Sequence, residues 1–513
     1  MTQINRATNN FPKKICEYFF NKNKTFLSIF FLLLITIFFT NNYYHFGDNN
    51  HVEQLPHIFS KLDTKYLVQD QFVQYTRDTN PRYYYSSVLA LINIFFTQEK
   101  YFYIVTLILN FGINLVTFLT VKLLIRDSVF PLMCVIALMN FTQANLGGAG
   151  MVNDYYLVPQ LMSMPLILFA YYFSMKGKYF TVLFLSLLSL PIQPVLTIIS
   201  LFPIVGNLLL NKHLSNKYFK VFVIFFLNSI LIYLLFLKYQ NNFVIDNQLY
   251  LYIIAWFRHP HHYIPSSFPK NDYIEFIAIT LISFISLFFL TKNTKDKSVY
   301  KYFLYSIVIS ILLIICGYVF AEIIPIESII KLQTFRIVFL IRWISLMLIS
   351  ITFYKIITKY SNSKFTYIIY MFFVYLILIK GIININNIIQ PSYHYHIATE
   401  KEAIYNYISN STNINTLFLT PPDFGDMRIY PKRAIIVDYK SFPFNEGDAI
   451  NWFFRIKDCY KDFDLYNNYK QITDSKILYL KNKYNFDYAI IYSETETLFD
   501  TIYQDKNFKV IKI

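Results

Sequence analysis

The sequence predicts an α-helical polytopic membrane protein, with about 11 transmembrane helices and a C-terminal extracytoplasmic α/β domain. Three observations carry that reading. The 513 residues are 55% hydrophobic and only 15% charged, outside the usual composition of a soluble globule. Apolar stretches recur at lengths suited to a bilayer, which needs about 20 mostly apolar residues per helix. The cations between them fall in alternate loops. Six short segments (1–24, 122–127, 175–178, 211–220, 292–301 and 355–364) hold 19 Lys and Arg against three acidic residues, which is +16 of a whole-chain +15.

Short loops rich in Lys and Arg stay on the cytoplasmic side during insertion. The basic balance is therefore a topology signal, and no nucleic-acid partner is implied. It places a cytoplasmic N-terminal segment at 1–24 and a transmembrane domain at 25–386. A first outer loop follows at 42–100, and an extracytoplasmic domain at 387–513. The expected location is the cytoplasmic (inner) membrane, multi-pass.

Taken in order, the predicted crossings are 25–41, 101–121, 128–144, 156–174, 179–190, 193–210, 218–238, 273–291, 300–320, 337–354 and 365–386. The first is not a removable signal, because Thr40-Asn41-Asn42-Tyr43-Tyr44 follows it without a small-residue cleavage pattern. The pair 179–190 and 193–210 is short, with Pro191 and Pro194 between. It reads equally as a broken or re-entrant hairpin, which needs cover from other helices. Residues 84–97 are apolar but flanked by outer segments, and predict an interfacial or re-entrant helix. The inner loops are too short to form a nucleotide-binding domain. Cys16, Cys134, Cys316 and Cys459 are scattered, which gives no disulfide framework and no CxxC metal site.

Beyond Pro391 the pattern changes. Thr399 to Glu402 fits a capping box opening a helix over 400–409. Thr416-Leu417-Phe418-Leu419, Ala434-Ile435-Ile436-Val437, Tyr488-Ala489-Ile490-Ile491-Tyr492 and Phe508-Lys509-Val510-Ile511 read as strands. Helices are predicted near 446–457 and 475–483. Strands alternating with helices predict a small α/β domain.

Five outer segments carry unusual chemistry. The first outer loop holds Asp48, Glu53, Asp63, Asp70, Arg77 and Arg82. A carboxylate just beyond the first span can accept a proton from an attacking hydroxyl at the interface, although the same charges fit a solvated loop. Loop 239–272 contains Arg258-His259-Pro260-His261-His262. Pro260 and the spacing argue against a helical zinc pair. Partly protonated imidazoles with Arg258 suit a phosphate or pyrophosphate oxygen, and an aromatic headgroup anchor fits the same residues. Gly147-Gly148-Ala149-Gly150, followed by Asn153 and Asp154, permits close approach to a ligand or a plain turn. Arg336 and Arg342 lie at the start of the tenth span, where a basic residue faces a partner, a cavity or the interface. In the terminal region Asp423, Asp426, Arg428, Arg433 and Asp438 sit at strand ends, as binding groups or as loop salt bridges.

The layout resembles that of membrane glycosyltransferases of the GT-C class. The matching features are Gly47-Asp48 after the first span, Leu62-Asp63 and Gln69-Asp70 further along the loop, and the outer 387–513 domain. Several runs are also similar to poorly characterised bacterial polytopic proteins: Glu53-Gln54-Leu55-Pro56, Tyr156-Leu157-Val158-Pro159-Gln160, Arg258-His259-Pro260-His261-His262-Tyr263, Leu332-Gln333-Thr334-Phe335-Arg336 and Leu419-Thr420-Pro421-Pro422. The GT-C resemblance implies inverting transfer of a hexosyl or pentosyl unit from a polyprenyl-phosphate-linked sugar to an acceptor outside the cytoplasmic membrane. It implies Asp48 as the catalytic base. Glu53, Asp70, Arg258, His259, His261, His262 and Arg336 are the expected substrate-binding residues. Asn49 follows Asp48, so the paired acidic motif of some members is missing and a divalent metal stays an open question. Two other functions fit the residues: a transporter or flippase for a lipid-linked or anionic substrate, and a non-catalytic assembly protein whose outer domain binds a partner.

Overall fold

The computed structural model describes residues 11–47, 49–93, 98–125, 130–140, 146–148, 152–237, 246–292, 297–360, 398–461 and 464–513. Six stretches are long and apolar enough to cross a membrane: Thr25–Tyr43, Glu99–Leu124, Lys217–Leu235, Lys270–Lys292, Ser298–Ile323 and Glu327–Ile356. They mark the chain as membrane-embedded. The first span lies in helix α1 (Phe11–Tyr43). The first outer loop then folds as α2 (His51–Leu62), α3 (Gln71–Arg77) and α4 (Tyr83–Asn93). The last covers 84–93 of the stretch 84–97 predicted as an interfacial or re-entrant helix, of which 94–97 lie outside the described residues. The helical character of 51–77 was not anticipated.

Helix α5 (Gln98–Leu124) packs against α1 and against α7 (Pro159–Met175), and α6 (Phe130–Asn140) lies beside it. The short pair is α8 (Tyr179–Ser189) and α9 (Pro194–Leu210), broken at the two prolines as predicted. Helices α10 (Lys217–Leu237), α11 (Lys270–Lys292), α12 (Ser298–Tyr318) and α13 (Val338–Tyr360) follow. Helix α12 packs on α9, and α11 on α13. The predicted crossing at 365–386 lies outside the described residues. Polar groups inside the bundle are paired across helices. Trp343 Nε1 donates to Thr117 Oγ1 at 2.8 Å, and Tyr171 donates to Ser306 Oγ at 2.8 Å. Arg342, an isolated cation in the sequence, pairs with Glu275 of α11 at 3.1 Å.

The terminal region is α/β. Helix α14 (Thr399–Ser411) starts with Ala398 in the cap position, so Thr399 falls inside the helix and not at the N-cap of the expected capping box. The sheet order is β2-β1-β3-β5-β4, from β1 (Leu417–Leu419), β2 (Ala434–Ile435), β3 (Tyr488–Tyr492), β4 (Thr501–Gln504) and β5 (Phe508–Lys512). Strand β1 is interior and parallel to both neighbours, which is why it reads as an unbroken buried run. Strand β4 was not predicted. It is an edge strand with exposed ends and lacks the alternation of a half-buried one. Helices α15 (Glu446–Tyr460) and α17 (Asp474–Tyr484) match expectation, and α16 (Leu465–Lys470) is additional.

Two hydrophobic clusters tie this domain to the rest. Its main core runs on through Tyr250, Ile253, Ile254, Tyr263 and Ile330, and Ile429 enters the core of the first outer loop. A buried ion network reinforces the junction. Arg428 Nε lies 2.7 Å from Asp70 Oδ2, and Arg428 Nη1 lies 2.5 Å from Asp438 Oδ1. Asp70 also accepts from the backbone N–H of Val73, capping α3, and from that of Ile435 at 3.0 Å. Ser441 bonds to both Arg428 and Asp438. Asp70 was expected to bind substrate; in the fold it is fully buried and its oxygens are engaged by this network.

Candidate cleft between the outer segments and the terminal domain

All the outer segments converge on one cleft of about 1570 Å³. Its walls come from Gly47, 49–54 and 78–82 of the first outer loop, from Gly148 and 154–160, from the tip of the α8–α9 hairpin at Gln193, from 250–263, from 331–336, and from 422–451 of the terminal domain. Glu53, Arg258, His259, His261, His262 and Arg336, expected from the sequence, all line it. Asp70 does not. Asp48 lies outside the described residues, and both its chain neighbours, Gly47 and Asn49, line the cleft.

The cationic wall is built on strained backbone. Gln333 is left-handed at φ 48°, and this turn delivers Thr334–Ile337 with Arg336 into the cleft. Gly147 and Gly148 are also left-handed, at φ 69° and 65°. A Cβ on Gly147 would lie 2.6 Å from Phe335 Cβ, and one on Gly148 would lie 2.0 Å from the His262 ring. These two glycines therefore seat neighbouring side chains; the close approach is to His262 and Phe335. His262 Nδ1 sits 3.3 Å from the Gly147 carbonyl oxygen.

Residues 252–258 form a widened helical turn ended by Pro260. His259 stacks on Phe444 (5.8 Å, 17°) and on His262 (5.8 Å, 25°), and the His261 and His262 rings are 4.1 Å apart. Burial, followed by Arg258 for His259 and by Arg336 for His262, pushes both imidazoles well below their ordinary range; His261 is lowered for the same kinds of reason. The expected partial protonation is thus corrected: the rings are neutral at pH 7. Arg258 donates to the Lys440 carbonyl oxygen at 2.9 Å and lies over Tyr439. Among the described residues, no carboxylate is within ion-pair distance of Arg258 or Arg336.

The carboxylates on the other walls are mostly compensated. Glu53 pairs with Arg82 at 2.5 Å, and Lys331 lies 2.5 Å from Glu327 and 3.4 Å from Glu446. Asp154 and Asp448 have no cation at ion-pair distance among the described residues, and burial raises both carboxyls. Asp154 accepts from the Tyr156 N–H at 3.0 Å, and burial pushes its carboxyl up to about 6. The loop carrying it is anchored by Asn110, which donates to the Asp154 carbonyl oxygen, and by Asn153, which donates to Asn110 and Asn114. His51 lies 3.2 Å from the backbone N–H of both Gly47 and Leu157; a neutral imidazole accepts only one. It links Gly47 to the segment that carries Asp154.

Gln54, Asn445 and Asp448 line the cleft and were not singled out in the sequence. Gln54 falls in the run Glu53-Gln54-Leu55-Pro56 without a role of its own, and only the docking of α15 brings the last two there. Among the described residues, no group of three or more His, Cys, Asp or Glu converges as a metal-binding set. Rings stacked on one another, as the histidines are, do not present such a set.

Residues 399–459 match a family described only as a domain of unknown function, DUF6798. No curated protein matches the chain. The matched stretch includes Arg428 and Asp438 of the ion network and nearly all of the terminal domain's cleft wall.

Proposed function

We propose that the protein is an integral membrane glycosyltransferase. It moves a sugar from a polyprenyl-phosphate-linked donor to an acceptor on the outer side of the cytoplasmic membrane. About 11 crossings, with the N-terminus inside, put the cleft on that side. The observation that carries the reading is the pairing, in one cleft, of uncompensated guanidiniums with a carboxylate of raised proton affinity. Arg258 and Arg336 would bind the donor phosphate through charge-assisted hydrogen bonds. As the sugar leaves, the same bonds stabilise the charge that develops on the phosphate.

Inverting transfer needs one base on the acceptor hydroxyl. We assign it to Asp48, whose flanking residues line the cleft. Asp154 shares the proton, since a carboxyl that titrates near 6 exchanges protons readily around neutral pH. No step is assigned to a metal.

The test is transfer by protein reconstituted in liposomes with a polyprenyl-phosphate-linked sugar. Asp48→Asn should lower turnover by about 10²–10⁴-fold while donor binding persists. Asp154→Asn should cost about tenfold and remove the acid limb of the pH–rate profile. Full activity of Asp48→Asn with none in Asp154→Asn would move the base to Asp154. Failure of the wild-type protein to bind any polyprenyl phosphate would overturn the reading.

A further inference from the structure

We propose that His259, His261 and His262 form a proton-coupled anion clamp: a phosphate-class anion enters the cleft together with protons that the imidazoles take from solvent. The inference rests on the donor-phosphate reading above and adds the regulation of that site by pH.

The geometry behind it is a set of titratable rings with no counter-charge. His259 is 8% exposed, and its Nδ1 has no partner. The Gly147 carbonyl oxygen accepts from His262 Nδ1, which fixes the proton there and leaves Nε2 as the basic atom. Each face of the cleft contributes its charges. On the triad's own segment the only fixed charge is Arg258. The 331–336 segment adds Arg336 and Lys331, the latter held by Glu327 and Glu446. The first outer loop adds the closed Glu53–Arg82 pair and, at the rim, Asp78. From the terminal domain come Lys440, bonded to Asn49, and Asp448, whose carboxyl burial raises. Asp423 and Asp426 share Lys401 at 3.5 Å. Asp154 is itself partly protonated near neutral pH.

The charges that act on the three rings are Arg258, Arg336 and Arg82; no carboxylate is among them. Without a bound anion, a proton on any ring would add to this uncompensated positive charge, so the rings stay neutral. A bound anion reverses the sign of the local field. Imidazole protonation then becomes favourable, and each ring gains a second N–H donor for the anion's oxygens. By linkage, proton uptake on binding makes affinity rise as pH falls, up to about tenfold per pH unit for each whole proton taken up.

The probe is inorganic sulfate, whose charge does not change across this range. Its binding to the purified full-length protein would be measured by calorimetry between pH 8 and 6, in two buffers of different ionisation enthalpy. The expected result is at least about tenfold tighter binding at pH 6 than at pH 8, with a buffer-dependent heat that reports proton uptake. Replacing all three histidines by glutamine should abolish the gain at pH 6, because glutamine takes up no proton. His261→Gln alone changes an exposed ring without disturbing the stack, and should lose part of the gain. An Asp154→Asn background should retain it. Sulfate binding that is flat with pH, or a gain that survives in the glutamine variants, would overturn the clamp and leave the anion site standing. No sulfate binding at any pH, together with no polyprenyl-phosphate binding, would remove the donor site itself.

Discussion

Arg428 and Arg336 are two guanidiniums in the same protein with opposite surroundings. Arg428 is 1% exposed and has Asp70, Asp438 and Ser441 around it. Arg336 borders the cleft with no carboxylate in reach among the described residues, and Arg82 adds to its positive surroundings. A saturated buried cation contributes to structure. An unsaturated one costs stability and persists because something outside the fold completes it. The contrast separates the joint that holds the terminal domain from the surface proposed to bind the donor phosphate.

The largest expected effect comes from breaking the saturated side. Arg428→Met leaves Asp70 and Asp438 buried without a counter-charge, and should cost about 3–5 kcal/mol. Thermal unfolding of the purified variant, alongside limited proteolysis at the domain junction, measures it. The triple variant Arg428→Met, Asp70→Leu, Asp438→Leu should recover much of the loss, because an apolar replacement of the whole network avoids stranded charges.

A smaller effect, of opposite kind, is expected at Arg336. Arg336→Gln should leave the unfolding temperature unchanged or slightly raised. Polyprenyl-phosphate affinity should fall about 10–100-fold, equivalent to the ~1.5–3 kcal/mol of a hydrogen bond to a charged group. A large stability loss with intact binding would place Arg336 with Arg428 as a structural cation.

The smallest effect concerns pH. Burial holds His51 down to about 3 and lowers the three cleft histidines as well. Below the unfolded value of about 6.5 the unfolded chain binds more protons than the folded one, so stability falls as pH drops from about 7 toward 5. The slope should be about 1 kcal/mol per unit for each ring fully involved. His51→Gln should reduce it. Sulfate should offset the part that belongs to the cleft, which makes unfolding scans at about pH 5.5 with and without sulfate the discriminating measurement.

How much of this was legible in the sequence follows from where each signal is stored. Apolar length is a local signal, and the six described stretches long enough to cross a membrane fall on predicted crossings. Strands such as Leu417–Leu419 and Tyr488–Tyr492 were readable because burial on both faces leaves an apolar run. Five of the expected substrate-binding residues sit in just two places, the run 258–262 and Arg336, and share the cleft with Glu53. Asp70 could not be read correctly. Its partner lies far along the chain, and a carboxylate in an outer loop looks alike whether it meets solvent, substrate or an arginine. The imidazoles were misjudged for a related reason: density of histidine is visible in sequence, but desolvation is not. Asp154 stood out only once its burial was known.

The Asp70–Arg428 contact spans 358 residues of chain. At about 5–20 residues per second, a ribosome needs roughly 20–70 s to make that interval. Throughout this time the first outer loop waits without its partner, with Asp70 lacking its arginine and the Ile429-facing part of its core uncovered. The cleft therefore cannot be complete on a nascent chain, because its last wall is made last. Docking of the terminal domain closes the cleft and neutralises Asp70 in one event, so a chain whose last domain never docks is left with a stranded carboxylate and an open core.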